Sequence, residues 1–124
     1  MSSEQSNVPE SDKSSLEAWA SEYLEGVCID IYIKTSINQW RAICVVERGF
    51  FIVRCSPQPS FQFYDFKGLR SVSVVKNRLL FGHQSYTDST CLIEVSSSDE
   101  EGCGLLEGIH NKILYHMYVF NSRD

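Results

Sequence analysis

The sequence predicts a mainly β (α+β) domain: a seven-stranded antiparallel barrel or sandwich capped by a C-terminal α-helix, with an extra short N-terminal helix. Three observations carry this. From Ser98 to Phe120 the apolar residues Leu106, Ile109, Ile113, Met117 and Phe120 recur at steps of 3, 4, 4 and 3, which is one face of a helix. Between Val27 and Val95 the apolar period drops to two and the chain breaks into seven short runs. The links between those runs are mostly short, as in antiparallel hairpins. With 124 residues the chain holds one core and is too short for two ordinary domains.

In chain order, residues 1–13 carry hardly an apolar side chain. They offer little to offset the entropy of ordering and read as a disordered tail, with a single domain following over 14–120. Ser14 and Glu17 have capping-box spacing, and Leu16, Trp19, Ala20, Tyr23 and Leu24 follow at helical spacing. Gly26 stands where a C-terminal cap belongs, so a helix of about three turns is expected over 14–25. At that length it has to dock to persist, with Trp19 as its anchor. It is either the end of a preceding domain or an added cover for part of the barrel.

The strands are read as Val27–Lys34, Trp40–Glu47, Phe50–Arg54, Phe61–Tyr64, Arg70–Val75, Arg78–Phe81 and Cys91–Val95. Arg48-Gly49, Lys67-Gly68 and Lys76-Asn77 mark tight connections, and 55–60 and 82–90 are longer loops. The last helix spans 98–120, with Ser98 as N-cap, Glu101 completing a capping box, and Asp99 and Glu100 at the positive end of the helix dipole.

The mix, 43% hydrophobic and 22% charged, is that of an ordinary globular domain. A net charge of -5 argues against bulk nucleic-acid binding. No apolar run approaches the ~18 residues of a membrane span, and the polar, acidic N-terminus lacks the layout of a secretory leader. A cytoplasmic location, or a peripheral one at a membrane surface, is expected. The five cysteines, Cys28, Cys44, Cys55, Cys91 and Cys103, are odd in number and form no C-x-x-C pair. They read as small buried hydrophobes in a reducing compartment rather than as a disulfide framework.

Catalysis has little to rest on. There is no G-x-S-x-G, H-E-x-x-H, P-loop or G-x-G-x-x-G. Of His83, His110 and His116, the first falls in a polar loop, and the other two sit about 120° apart around the last helix. Cys103 and His110 are nearly in line, but a metal or Cys–His site needs further partners. The histidines read as solvated or helix-end residues, and no enzymatic activity, metal or cofactor is expected.

Some local text adds to the element order. Gln39-Trp40-Arg41 opens the second strand, and Phe63-Tyr64-Asp65-Phe66-Lys67-Gly68-Leu69-Arg70-Ser71-Val72-Ser73-Val74 runs from one strand through a bend into the next, with Leu79-Leu80-Phe81 as the following arm. Seven antiparallel strands closed by one C-terminal helix resemble the pleckstrin-homology (PH) superfold, which includes PH domains, phosphotyrosine-binding (PTB) domains and the C-terminal lobe of FERM domains. Gln39-Trp40-Arg41 is similar to the basic and aromatic start of the second strand in PH domains. The longer passage looks like the strand, bend and (I/L)-x-S-(I/V) text of FERM and PTB lobes. The resemblance covers roughly residues 27–120 and leaves the subfamily open.

What it implies is a non-catalytic adaptor or scaffold module that recognises a peptide or partner domain. In PTB and FERM lobes a peptide adds a strand beside the C-terminal helix, with main-chain hydrogen bonds supplying affinity. The corresponding positions here are Arg70, Ser71, Val72 and Ser73, with Arg78, Ile109 and Ile113. The alternative is a phosphoinositide-binding PH domain that recruits its protein to a membrane, holding phosphates through Lys34, Arg41 and Arg54. Gln39 departs from the basic-x-Arg signature of lipid-binding PH domains, which weighs against that alternative. Two further features stand out. Gly102, Gly104 and Gly108 read either as a close helix–sheet approach or frayed turn, or as a flat floor beside a peptide groove. Phe50 and Phe51 are adjacent and point to opposite faces, so one of them is expected to be partly exposed unless the N-terminal helix covers it.

Overall fold

A computed structural model describes residues 8–23, 28–54, 58–83 and 90–122. The elements are α1 (Val8–Tyr23), β1 (Ile31–Lys34), β2 (Trp40–Val46), β3 (Gly49–Arg54), β4 (Ser60–Asp65), β5 (Leu69–Val75), β6 (Arg78–His83), β7 (Thr90–Glu94) and α2 (Glu100–Asn121). All pairings are antiparallel, in a four-stranded sheet ordered β1-β2-β3-β4 and a three-stranded sheet ordered β5-β6-β7. Two sheets, a short N-terminal helix and a closing C-terminal helix make the PH-like sandwich that the sequence predicts.

The main core lies between the sheets and under α2. Ile33, Ile43, Phe50, Phe66, Leu79, Ile93 and Val95 meet Leu106, Ile109 and Ile113 there. Phe50 stacks on Tyr64 at 5.0 Å, and Tyr64 meets the edge of Phe81 at 5.0 Å. The interior is filled by rings and branched side chains.

A second, smaller core lies on the other side of the four-stranded sheet. Leu16 of α1 packs with Ala42 and Val53, flanked by Trp19, Tyr32, Trp40 and Phe51. With α1 on one face and the sandwich on the other, β2 is buried on both sides from Ala42 to Val45. That is why its text is almost continuously apolar. Phe50 is in the main core and Phe51 is half-buried beside α1, as their opposite directions require.

Several boundaries differ from the sequence reading, each for a local reason. The first helix starts at Val8, inside the stretch read as a tail, with Pro9 in its first turn where a missing N–H costs nothing. Ser14 and Glu17 therefore lie mid-helix. Asp99, not Ser98, caps α2: its Oδ1 accepts from the Gly102 N–H at 3.0 Å, while the Ser98 and Ser96 hydroxyls bond each other at 3.0 Å. β1 begins at Ile31; the Asp30 N–H still donates to the Ile43 carbonyl at 2.9 Å, and beyond it the Asp30 carboxylate takes the place of backbone. Asp30 Oδ2 accepts from the Val45 N–H at 2.6 Å, and Oδ1 pairs with Lys112 of α2. The β6–β7 register slips between Leu79 and Leu80, so Ile93 and Val95 are buried while Cys91 is exposed. Cys28 is exposed too, so the reading of buried thiols holds for Cys44 and partly for Cys103; these four are free thiols. Residues 1–7, Gly26, Cys55 and most of the 82–90 loop lie outside the described residues.

The glycines of α2 divide. A Cβ on Gly102 would fall 2.5 Å from Asp99 Oδ2, so the capping turn demands glycine there. Gly104 and Gly108 are exposed, with nothing within 4 Å of where a Cβ would stand. Neither a close approach to the sheet nor a frayed first turn accounts for those two.

Candidate functional site

The register fixes which strand edges face outward. Lys76-Asn77 links Val75 to its partner Arg78 by two residues, so Val75, Ser73 and Ser71 exchange hydrogen bonds with β6. The N–H and C=O groups of Val72 and Val74 then point away from β6. No described strand pairs on that side of β5, and α2 packs there. His110 reaches across from α2, its Nε2 3.0 Å from the Val72 carbonyl oxygen, donating a hydrogen bond that ties the helix to this edge. Ser71 and Ser73 are exposed on the outer face of β5. Cys103 and Met117 are half-buried on the His110 flank of α2, and Leu114 is exposed there.

The other residues assigned to a peptide site lie elsewhere. Ile109 and Ile113 are 2% and 0% exposed; they and the Val72 side chain pack the main core. Arg78 is on β6 and pairs with Glu94 of β7 at 3.2 Å. Arg70 lies on β5, and its side chain is outside the described part.

The three basic residues assigned to phosphate divide between the two faces of the first sheet. Arg41 and Arg54 are cross-strand partners on β2 and β3 and line an open groove of about 350 Å³ with Ser60, Gln62, Tyr64 and Leu92. Arg54 Nε donates to Ser60 Oγ at 2.9 Å, and Arg41 donates to Gln39 Oε1 at 3.0 Å. Lys34 pairs with Trp40 and so points to the opposite face, into a neighbouring groove of about 610 Å³ that also holds Lys13, Asp99 and Glu101. Lys13 Nζ stands 4.9 Å above the Trp40 ring.

Burial pushes the Cys44 thiol from 9.0 up to about 11, with the charge of Asp30 and then Cys28 adding to it and Lys112 opposing. Burial also raises Tyr64, against the opposing charge of Arg54, and raises Tyr32 with help from Glu17. A thiol held protonated is no nucleophile at neutral pH. Among the described residues no group of three or more His, Cys, Asp or Glu side chains is placed to hold a metal ion.

Two features escaped the sequence reading. His110 is not a bystander but a bridge, and nothing in its spacing announces a partner 38 residues away. The outer face of β3–β4 gathers Phe51, Phe61 and Phe63, with Phe51 and Phe63 rings at 4.7 Å and Trp19 of α1 at the border, 6.4 Å from Phe61. Phe61 and Phe63 are 53% and 38% exposed. The alternation of Ser60-Phe61-Gln62-Phe63 places both rings on one face, but only the position of α1 shows that they stay uncovered.

No protein-family model, no curated protein and no solved structure matches the chain.

Proposed function

We propose that this chain is a non-catalytic protein-interaction module, nearer in use to PTB domains and FERM C-terminal lobes than to lipid-binding PH domains. It takes a peptide or partner domain along β5 beside α2. The carrying observation is the β5 edge, whose Val72 and Val74 main-chain groups are turned away from β6, with α2 reaching the Val72 carbonyl through His110. The Val72 carbonyl keeps a second lone pair beyond the one His110 uses, and Ser71 and Ser73 let another backbone come close. A cytoplasmic adaptor role follows from this reading; no helix of the described residues is long and apolar enough to cross a membrane. The test is an NMR titration of labelled protein with phosphotyrosine and unmodified peptide panels. Shifts at 70–75 and along the His110 flank of α2 are expected. Shifts confined to other surfaces would overturn the assignment.

A second reading, phosphoinositide recognition, is favoured by the facing Arg41 and Arg54 in their groove with Ser60 and Gln62. Soluble headgroups would then shift β2 and β3 residues around that pair and leave Lys34 unmoved. No response to any headgroup at low salt removes this reading.

A further inference from the structure

We propose that β4 is a self-pairing edge, through which two copies of this chain join their four-stranded sheets across a two-fold axis at Gln62. The inference is independent of the β5 site. It starts from the four outer edges of the two sheets. β5 is the edge already taken up above as a peptide site. β1 is four residues long and carries Lys34, and β7 carries a register shift and gives its Glu94 carbonyl to the Ser36 N–H at 2.8 Å. These are the devices by which folded proteins blunt an open edge. β4, reading Ser60-Phe61-Gln62-Phe63-Tyr64-Asp65, has no lysine, proline or bulge along it, and no described strand bonds to its outer side.

Its polar groups have a definite direction. The two-residue turn closing Val46 on Gly49 makes Val46, Cys44 and Ala42 the hydrogen-bonded partners of β3, so Phe50, Ile52 and Arg54 bond to β4. Their partners are Tyr64, Gln62 and Ser60, and the Arg48 carbonyl accepting from the Phe66 N–H at 2.8 Å continues the same alternation. Phe61 and Phe63 therefore turn both N–H and C=O outward. The ladder ends at Pro59, which has no N–H, and at Asp65, whose carbonyl already accepts from Gly68 at 3.2 Å.

Two such edges fit each other in one register. With Gln62 on the axis, Phe61 faces the second copy's Phe63 and each pair exchanges two hydrogen bonds, four in all. The exposed rings of Phe61 and Phe63 then meet their counterparts on one face, and no acidic residue opposes another, since Asp65 falls opposite Pro59. This self-complementarity is what selects a second copy over an unrelated strand. A two-residue ladder with four rings buries less than the ~800 Å² per partner of a standard interface, so association is weak, with a dissociation constant on the order of 0.1 mM.

Sedimentation equilibrium of the full chain over a concentration series tests this, with cysteine crosslinking as the geometric readout. Residues opposed on the axis are a non-hydrogen-bonded pair with Cα atoms about 4.5 Å apart, within disulfide reach. Gln62→Cys is expected to form covalent dimer on mild oxidation well above the background set by wild type and by Phe61→Cys. Phe61→Lys should weaken association by about tenfold or more, through loss of a buried ring and placement of a charge at the edge. A constant monomer mass at the highest concentration, or Gln62→Cys crosslinking no faster than Phe61→Cys, overturns the proposal.

Discussion

Replacing Gly104 and Gly108 with alanine tests the placement of α2 most directly. Glycine in a helix interior costs about 0.8–1.0 kcal/mol relative to alanine, because its backbone has more freedom to lose. That cost is tolerated where a Cβ would collide. Here the two positions lie on the exposed side of α2, and an added methyl meets nothing within 4 Å. Each substitution should therefore return nearly its full propensity gain. The double variant should gain roughly 2 kcal/mol, which for a domain of this size raises Tm by roughly 6–10 °C. Gly102→Ala is the built-in control. Its methyl would stand 2.5 Å from the Asp99 carboxylate that caps the helix, so it should lose about 1 kcal/mol or more. Thermal denaturation followed by circular dichroism, with urea titration as a check, measures all three. A double variant no more stable than wild type would refute the reasoning, since that outcome requires the glycine face of α2 to be packed against something in solution.

Three further predictions follow from named contacts. Asp30→Ala leaves the Val45 N–H without its acceptor and removes the tie to Lys112; a loss of about 2–3 kcal/mol is expected by urea denaturation, against under about 1 kcal/mol for Lys112→Ala, whose head is half-exposed. Lys76 holds φ at 58° in the β5–β6 turn, a conformation that suits glycine, so Lys76→Gly should stabilise by about 0.5–1 kcal/mol, read as a higher urea midpoint with an unchanged slope. The raised Cys44 thiol binds its proton more tightly folded than unfolded, so its contribution is whole below pH 9 and is lost as pH rises toward about 11. Denaturation midpoints should fall over that window, and Cys44→Ala should flatten the fall relative to its own value at pH 8.

Much of the fold was legible because it is written in short-range periodicity. The 3–4 spacing of Leu106, Ile109 and Ile113 and the alternation of Ile31 with Ile33 depend only on how side chains leave a helix or a strand. Turn residues such as Lys76-Asn77 locate the hairpins by the same local logic. From these the order of seven strands and a closing helix follows, and with it the PH-like plan. The capping residue of α2 was missed by one position, because Ser98 and Asp99 both have an acceptor side chain and only the backbone entry angle selects between them.

The candidate sites were only partly legible, for a physical reason. A site is made by residues distant in the chain, and local pattern carries no term for that distance. Ile109 and Ile113 have the spacing of a groove wall and of a core stripe alike; the direction α2 turns sends them inward and leaves His110 to reach Val72. Arg41 and Arg54 meet because strand register aligns them, while Lys34, on the opposite parity, is turned to the other face. The exposure of Phe61 and Phe63 depends on how far α1 extends over the sheet, a matter of docking rather than propensity. The sequence alone thus determined the elements and their order, which are local free-energy choices. Which faces are covered and which edges stay open were decided only when the elements packed, because burial is a property of the assembled surface.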